Sequence, residues 1–352
     1  MIGYPVFHLF ARACGLLWFG STLGLEQPTS VLLRQCEVPG GAMSHSRTFT
    51  TFISLVLIAT GLLAVQSASA ASPAVVAAAG DIACPAGDTK DATHCHYRET
   101  SNIAVAMNPA AVLALGDLQY NSGVLSDFRT AYDSSWGRLK TRTRPVLGNH
   151  EYGTGGASGY FNYFGSRATP RNPDCRSECG GYYSFNVGSW HVVALNSNCG
   201  RPNVSCVAGG AQEKWLRADL AAHRNRCTMA IMHHALWASS ALKETRVRPF
   251  VNALYAANAD LIVTAHAHYY ERFHPQNSLG QRDNARGLTE FIVGTGGRDF
   301  AAKPGSTAGN SAVLKTGAFG VLRLSLASTS FSWSFRADPS TPFTDSGSRT
   351  CH

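Results

Sequence analysis

The sequence predicts a layered α/β fold with mixed sheets. Three observations carry this: short apolar runs that each end in polar residues, helical spacing between several of those runs, and an alternating, β-rich tail. The runs are residues 74–80 before Asp81, 111–116 before Asp117, 144–148 before Asn149, 190–195, 227–232 before His233, and 261–265 before His266. Their length and lack of alternation suit strands buried on both faces. Residues 123–140, 211–222 and 248–257 carry apolar positions three and four apart, as in Trp215, Leu216 and Leu220, and read as helices. Residues 320–336 alternate through Val321, Leu322, Leu324, Leu326, Phe331, Trp333 and Phe335, which reads as two strands joined by a turn near Ser328-Thr329. In open α/β sheets, ligands gather where strands reach their carboxyl ends. The polar residues that close the runs are therefore the first pointers to a site.

With 352 residues, 45% of them hydrophobic and 15% charged, the chain can bury a core and lacks a disordered composition. Its formal charge of +8 favours anionic partners. No long Lys/Arg run or stripe is present, which sets nucleic acid aside as the main partner. No Pro/Ser linker, charge block or repeat divides residues 73–352, so 71–352 is expected to form one domain. Ahead of it, Met43 opens a secretory signal: Arg47, an apolar stretch from Phe52 to Val65, and a small-residue cleavage site, Ala68-Ser69-Ala70. That stretch falls short of the roughly 20 residues a membrane span needs. A signal peptide over 43–70 is expected, with no stable span after cleavage and a secreted, extracellular or periplasmic product. Residues 1–42 read as an upstream mis-start or a disordered leader.

Eight cysteines follow the cleavage site, an even number that suits disulfides formed in an oxidising compartment. Short spacings suggest Cys84–Cys95, Cys175–Cys179 and Cys199–Cys206, which leaves Cys227 and Cys351 for each other. A cysteine zinc cluster would show paired C-x-x-C units, and none is present.

Five segments place ligand-type residues directly after apolar runs: Gly80-Asp81-Ile82-Ala83, Gly116-Asp117-Leu118-Gln119-Tyr120, Gly148-Asn149-His150-Glu151, Met232-His233-His234 and Ala265-His266-Ala267-His268. Singly, each has an ordinary explanation: a turn, a core tyrosine, or a His-x-His that merely shares one face of a strand. Their conjunction is what argues for a site. Oxygen and imidazole donors without thiolate suit zinc, iron or manganese. Seven ligands exceed the four of a tetrahedral zinc site. They suit two ions about 3.5–4 Å apart that share a carboxylate.

In this order, GDIA, GDLQY, GNHEY, AIMH and AHAHYYER resemble the calcineurin-like metallophosphoesterases, and more closely their purple acid phosphatase branch. Ala83 stands where the wider family has a histidine, and in the purple branch the tyrosine of GDxxY replaces that ligand. The resemblance implies an αββα sandwich, mixed sheets flanked by helices, known as the metallo-dependent phosphatase fold. It further implies that Asp81, Tyr120 and His268 hold a first metal, that Asn149, His233 and His266 hold a second, and that Asp117 bridges both. Iron is implied at the Tyr120 site, and iron, zinc or manganese at the other. His150 would stand beside the substrate phosphate and protonate the leaving group or stabilise charge, with Glu151 as its partner. Alignment of the apolar run favours His233 over His234 as ligand and leaves His234 near the phosphate. Two departures from the family pattern are Ala265 for the usual glycine and Ala235 where proline often follows.

The expected activity is that of a secreted phosphatase that hydrolyses small phosphate monoesters by in-line attack of metal-bound hydroxide. A phosphodiesterase on the same site, acting on nucleotides or glycerophosphodiesters, is the alternative. A secreted protein that binds metal or phosphate without turnover is another, against which His150 argues. Gly294-Thr295-Gly296-Gly297 lacks the Lys-Ser/Thr end of a phosphate loop and reads as a turn after Phe291-Ile292-Val293. His94-Cys95-His96 reads as a disulfide-bonded loop with exposed imidazoles, and Asn203-Val204-Ser205 as a glycan acceptor only in a eukaryotic host.

Overall fold

A computed structural model describes residues 72–169 and 180–352. The expected leader, the expected signal peptide and the suggested Cys175–Cys179 pairing lie outside the described residues. In chain order the strands are β1 (Ala74–Ala79), β2 (Ala111–Ala114), β3 (Thr143–Pro145), β4 (Tyr183–Val187), β5 (Trp190–Ala194), β6 (Thr228–Ile231) and β7 (Leu261–Thr264), followed by β8 (Tyr270–Phe273), β9 (Thr289–Val293), β10 (Ser311–Lys315), β11 (Gly320–Leu326), β12 (Ser330–Ala337) and β13 (Ser346–Thr350). They form two mixed sheets, ordered β13-β12-β11-β1-β2-β3 and β10-β8-β9-β7-β6-β5-β4. In the first, β1 pairs parallel with β2 and antiparallel with β11. In the second, β5, β6, β7 and β9 run parallel. Helices flank the sheets, as the sequence predicts.

The apolar runs become strands because both of their faces are covered. In β6 and the residue after it, Met229 and Ile231 join a core that contains Val76 and Leu113 of the first sheet. Ala230 and Met232 pack instead with Leu216, Leu220, Phe250 and Leu254, from helices Ala211–Ala222 and Arg248–Ala256. Alternate side chains thus reach two different apolar layers, which explains a run with no polar face. The tail forms the expected hairpin, with Leu326 paired to Phe331.

Two expected elements differ. Residues 123–140 form no continuous helix: a turn at Leu125–Asp127 leads to a π-helical turn, Phe128–Tyr132, and a separate 3-10 segment begins at Trp136. The Ser135 hydroxyl donates to the carbonyls of Ala131 (2.8 Å) and Tyr132 (3.0 Å), an alternative to helical continuation that serine readily offers. The third strand, Thr143–Pro145, is shorter than its apolar run, and Val146 N–H still donates to the Ala114 carbonyl at 2.9 Å just beyond it. The 94–96 loop also differs, because His96 is buried and bonded to Asp338 at 2.7 Å. Disulfides join Cys84–Cys95, Cys199–Cys206 and Cys227–Cys351. The last staples the start of β6 to the end of β13, so it ties one sheet to the other. Among the described residues, no helix is long and apolar enough to cross a membrane.

Candidate metal centre

Asp81, Asp117 and Asn149 follow β1, β2 and β3, while His233 and His266 follow β6 and β7. All leave the carboxyl ends of their strands, so the two sheets deliver their polar termini to one place. Three of these residues take left-handed backbone angles that non-glycine residues rarely adopt: Asp81 (φ 57°), Asp117 (φ 49°) and His266 (φ 68°). Such conformations persist where surrounding structure over-determines them, and they cluster at functional sites. The bend falls on His266 and Ala265 has no positive φ, so alanine is tolerated there. The neighbouring glycines make room. A Cβ on Gly148 would lie 2.1 Å from Asp117 Oδ1, and one on Gly116 would lie 2.7 Å from His233 Nδ1. That crowding is the physical content of the GD and GN pairs.

Each carboxylate has one oxygen pinned by backbone and the other aimed inward. Asp81 Oδ2 accepts from His266 N–H and Asp117 Oδ1 from His150 N–H, both at 2.8 Å. The free oxygens organise two trios of donors. In the first, Tyr120 OH lies 2.8 Å from Asp81 Oδ1 and 3.0 Å from His268 Nε2, which is 3.1 Å from Asp81 Oδ1. In the second, His233 Nε2 lies 3.3 Å from Asn149 Oδ1 and 3.2 Å from His266 Nδ1. Asp117 Oδ2 touches both trios, at 3.2 Å from Tyr120 OH and 3.2 Å from His233 Nε2. Asp81, Asp117, Tyr120 and His233 form the buried floor. Asn149, His150, His234, His266 and His268 form a half-buried rim.

Burial opposes charge on both carboxylates, but nearby imidazoles outweigh it. The pKa of Asp81 falls, chiefly through His268, and that of Asp117 through His233. Burial likewise disfavours charge on the imidazoles. The carboxylates nevertheless raise His233 to about 9 through Asp117, and His268 to about 10 through Asp81. His266 is lowered to about 4 by burial and by His233. Burial, Asp117 and Asp81 together raise the Tyr120 phenol well above 10. Without a cation the floor thus holds protons in its place, and metal binding would release them.

The outer contacts fix how the donors point. His233 Nδ1 donates to the Leu115 carbonyl at 2.8 Å, which turns Nε2 to the centre. His268 Nδ1 bonds to Asp299, a residue the sequence reading missed. An imidazole held by a carboxylate on its far nitrogen is the arrangement that orients metal-ligating histidines. Asp299→Ala is expected to weaken metal affinity about 10–100-fold and to leave the fold intact, as checked by competition with a chelator.

His234 Nδ1 lies 2.9 Å from the Ser197 hydroxyl and its ring centre lies 4.3 Å from that of His266, and His233, His234 and His266 each offer a ligand atom within 4.8 Å of the other two. His150 Nδ1 donates to the Asn121 carbonyl at 2.5 Å, so its Nε2 turns toward Asp117 Oδ2, 3.8 Å away. The expected pairing of Glu151 with His150 gives way to another arrangement. The fully buried Glu151 carboxylate accepts from the N–H groups of Asp117 (2.9 Å), Leu118 (2.8 Å) and Gly148 (2.7 Å). It clamps the loop after β2 to the loop after β3. The turn at 294–297 packs on the β1 loop, with Gly296 N–H donating to the Gly80 carbonyl at 2.9 Å, and it delivers Arg298 and Asp299 to the site.

The chain matches the model of the family described as calcineurin-like phosphoesterase over residues 75–270. Purple acid phosphatase 23 of Arabidopsis thaliana is 24% identical over 341 residues, which covers 86% of this chain and 68% of that protein. Purple acid phosphatase 15 of the same plant is 25% identical over 303 residues, covering 76% and 52%. An uncharacterized protein of Mycobacterium tuberculosis is 28% identical over 228 residues, covering 54% and 42%. The chain spans about half the length of several of the curated relatives it matches. Among solved structures, the purple acid phosphatase PPD1 of yellow lupin (Lupinus luteus) has the same fold, with a TM-score of 0.65 at 16% identity over 79% of this chain and 54% of that one.

Proposed function

The chain belongs to the calcineurin-like phosphoesterase family, and from that premise we propose that it is a secreted phosphatase that hydrolyses phosphate monoesters at a dinuclear metal centre. The observation that carries this reading is Asp117 Oδ2, which stands 3.2 Å from a donor of each trio. One oxygen shared by two three-donor sets suits a bridging carboxylate between two cations. Asp81, Tyr120 and His268 would hold one ion; Asn149, His233 and His266 would hold the other. Bound there, the ions supply charge neutralisation for a phosphate dianion and lower the pKa of a water.

The chain's own residues do the rest. The backbone N–H of His150 pins Asp117, and the Asn121 carbonyl fixes the His150 ring with Nε2 toward the centre. From there His150 would give a proton to the leaving oxygen, and His234, on the rim beside His266, would meet the phosphate. Glu151 acts as a positioning residue through the two loops it clamps. The disulfides suit an oxidising compartment and so support secretion.

Purified protein is expected to hydrolyse p-nitrophenyl phosphate faster than bis-p-nitrophenyl phosphate. The reverse order would make it a diesterase, and no turnover of either would make it a binding protein. His150→Ala is expected to keep both metals and lose about 10²–10⁴ in rate; metal loss in that variant would place His150 among the ligands. A phenolate favours ferric iron at the first site and absorbs visible light by charge transfer, whereas zinc gives no such colour. Iron-loaded protein is therefore expected to be violet to pink, with the band lost in Tyr120→Phe and kept in Asn149→Ala.

A further inference from the structure

Arg298 has no part in the ligand set, yet it touches three components of the site. Its main chain is pinned from both sides: its N–H donates to the Asp81 carbonyl at 3.0 Å, and its carbonyl accepts from Cys95 N–H at 3.0 Å. Its guanidinium carbon lies 5.0 Å from the centre of the Tyr120 ring, whose centre is also 4.3 Å from that of His150. Nη2 donates to Asn121 Oδ1 at 3.2 Å, and Asn121 is the residue whose carbonyl holds His150. Nη1 rests on the Cys84–Cys95 loop, against Cys84 Sγ at 3.4 Å and against His94 Nε2. The side chain is only 15% exposed.

We propose that Arg298 is a positioning residue for the hydrolysis, a single guanidinium that sets both the phenol of Tyr120 and, through Asn121, the ring of His150. This rests on the phosphatase reading above. A cation over an aromatic ring is attracted to its electron density, and a phenolate carries more of that density than a phenol. Arg298 therefore steadies the Tyr120 ring where its oxygen meets Asp81 and His268, and its positive charge would lower the energy of the electrons that ring gives to a bound iron. Only a planar fork can also reach Asn121 while it lies on the ring; a lysine supplies the charge without the fork. The Cys84–Cys95 loop is the platform that keeps the fork in place.

The two roles separate in two variants of the metal-loaded protein. Arg298→Met is expected to shift the visible band of the iron form to longer wavelength and to lower kcat. Arg298→Lys is expected to leave the band in place and lower kcat roughly 10-fold, in the range of losses outside the ligand shell, with KM unchanged. In a His150→Ala background, Arg298→Lys is expected to cost nothing further, because its effect passes through His150. A band and kcat unchanged in Arg298→Met would overturn the proposal. So would a kcat loss in Arg298→Lys that persists without His150, or a loss of metal and a lowered unfolding midpoint shared by both variants. Wild-type protein that binds iron and shows the band but turns over no ester would instead sink the phosphatase reading, and the band shift would still decide the Tyr120 half.

Discussion

Asp117→Asn is expected to abolish hydrolysis and leave the centre with one ion or none. Oδ1 of Asp117 is already committed to the His150 N–H at 2.8 Å, so Oδ2 alone serves both donor trios. In asparagine one of these positions becomes an NH2 group, which donates and cannot ligate. With the amide nitrogen inward, two cations face each other across a neutral group. With it outward, two donors meet at His150 N–H. Either way the loss is expected to exceed the 10–100-fold typical of contacts outside the ligand shell. Two ions and most of the rate in that variant, by metal analysis and assay on one sample, would show that Asp117 does not bridge.

Glu151→Ala is expected to act on stability first. Its carboxylate is fully buried and satisfies the backbone N–H groups of Asp117, Leu118 and Gly148 at 2.7–2.9 Å. Each orphaned buried donor costs about 1–3 kcal/mol, so about 3–9 kcal/mol is at stake for the three, against a typical domain stability of about 5–15 kcal/mol. In a domain of this size that lowers the melting temperature by at least about 10 °C. Glu151→Gln keeps one acceptor oxygen and is expected to lose less. Burial and the charge of Asp117 push the Glu151 pKa up to about 7. An unchanged melting temperature in Glu151→Ala would mean that the two loops hold without their clamp.

Asp81, Asp117, Asn149, His233 and His266 were legible because each closes an apolar run, and a buried strand advertises itself by composition alone. Tyr120 was singled out through the resemblance, which sets it against Ala83, and the fold brings its hydroxyl 2.8 Å from Asp81 Oδ1 and 3.0 Å from His268 Nε2. Arg298 and Asp299 were not legible. They follow a Gly-rich turn whose sequence is that of any turn, and what carries them to the site is the pairing of β7 with β9, a long-range contact no local pattern records. Ser197 follows the run at 190–195 just as the ligands follow theirs, so its position alone could have found it. Glu151 was found but given the wrong partner. Adjacency in the chain suggested His150, whereas the fold turns the carboxylate back onto the backbone of two loops. In the fold, β13 reads as plain polar chain, SGSRT, and becomes a strand by pairing with β12 beside the Cys227–Cys351 bridge. The helix expected over 123–140 failed because serine hydroxyls capture its carbonyls, a competition that apolar spacing does not see.

The two-ion centre is tested most directly by titrating metal-free protein with one metal and measuring bound ions and p-nitrophenyl phosphate hydrolysis at each step. Little activity is expected up to one ion per chain, with the rate rising steeply to a plateau at two, and Asp117→Asn is expected to stay flat throughout. A plateau already reached at one ion per chain, with no further binding, would contradict a centre built on a shared carboxylate.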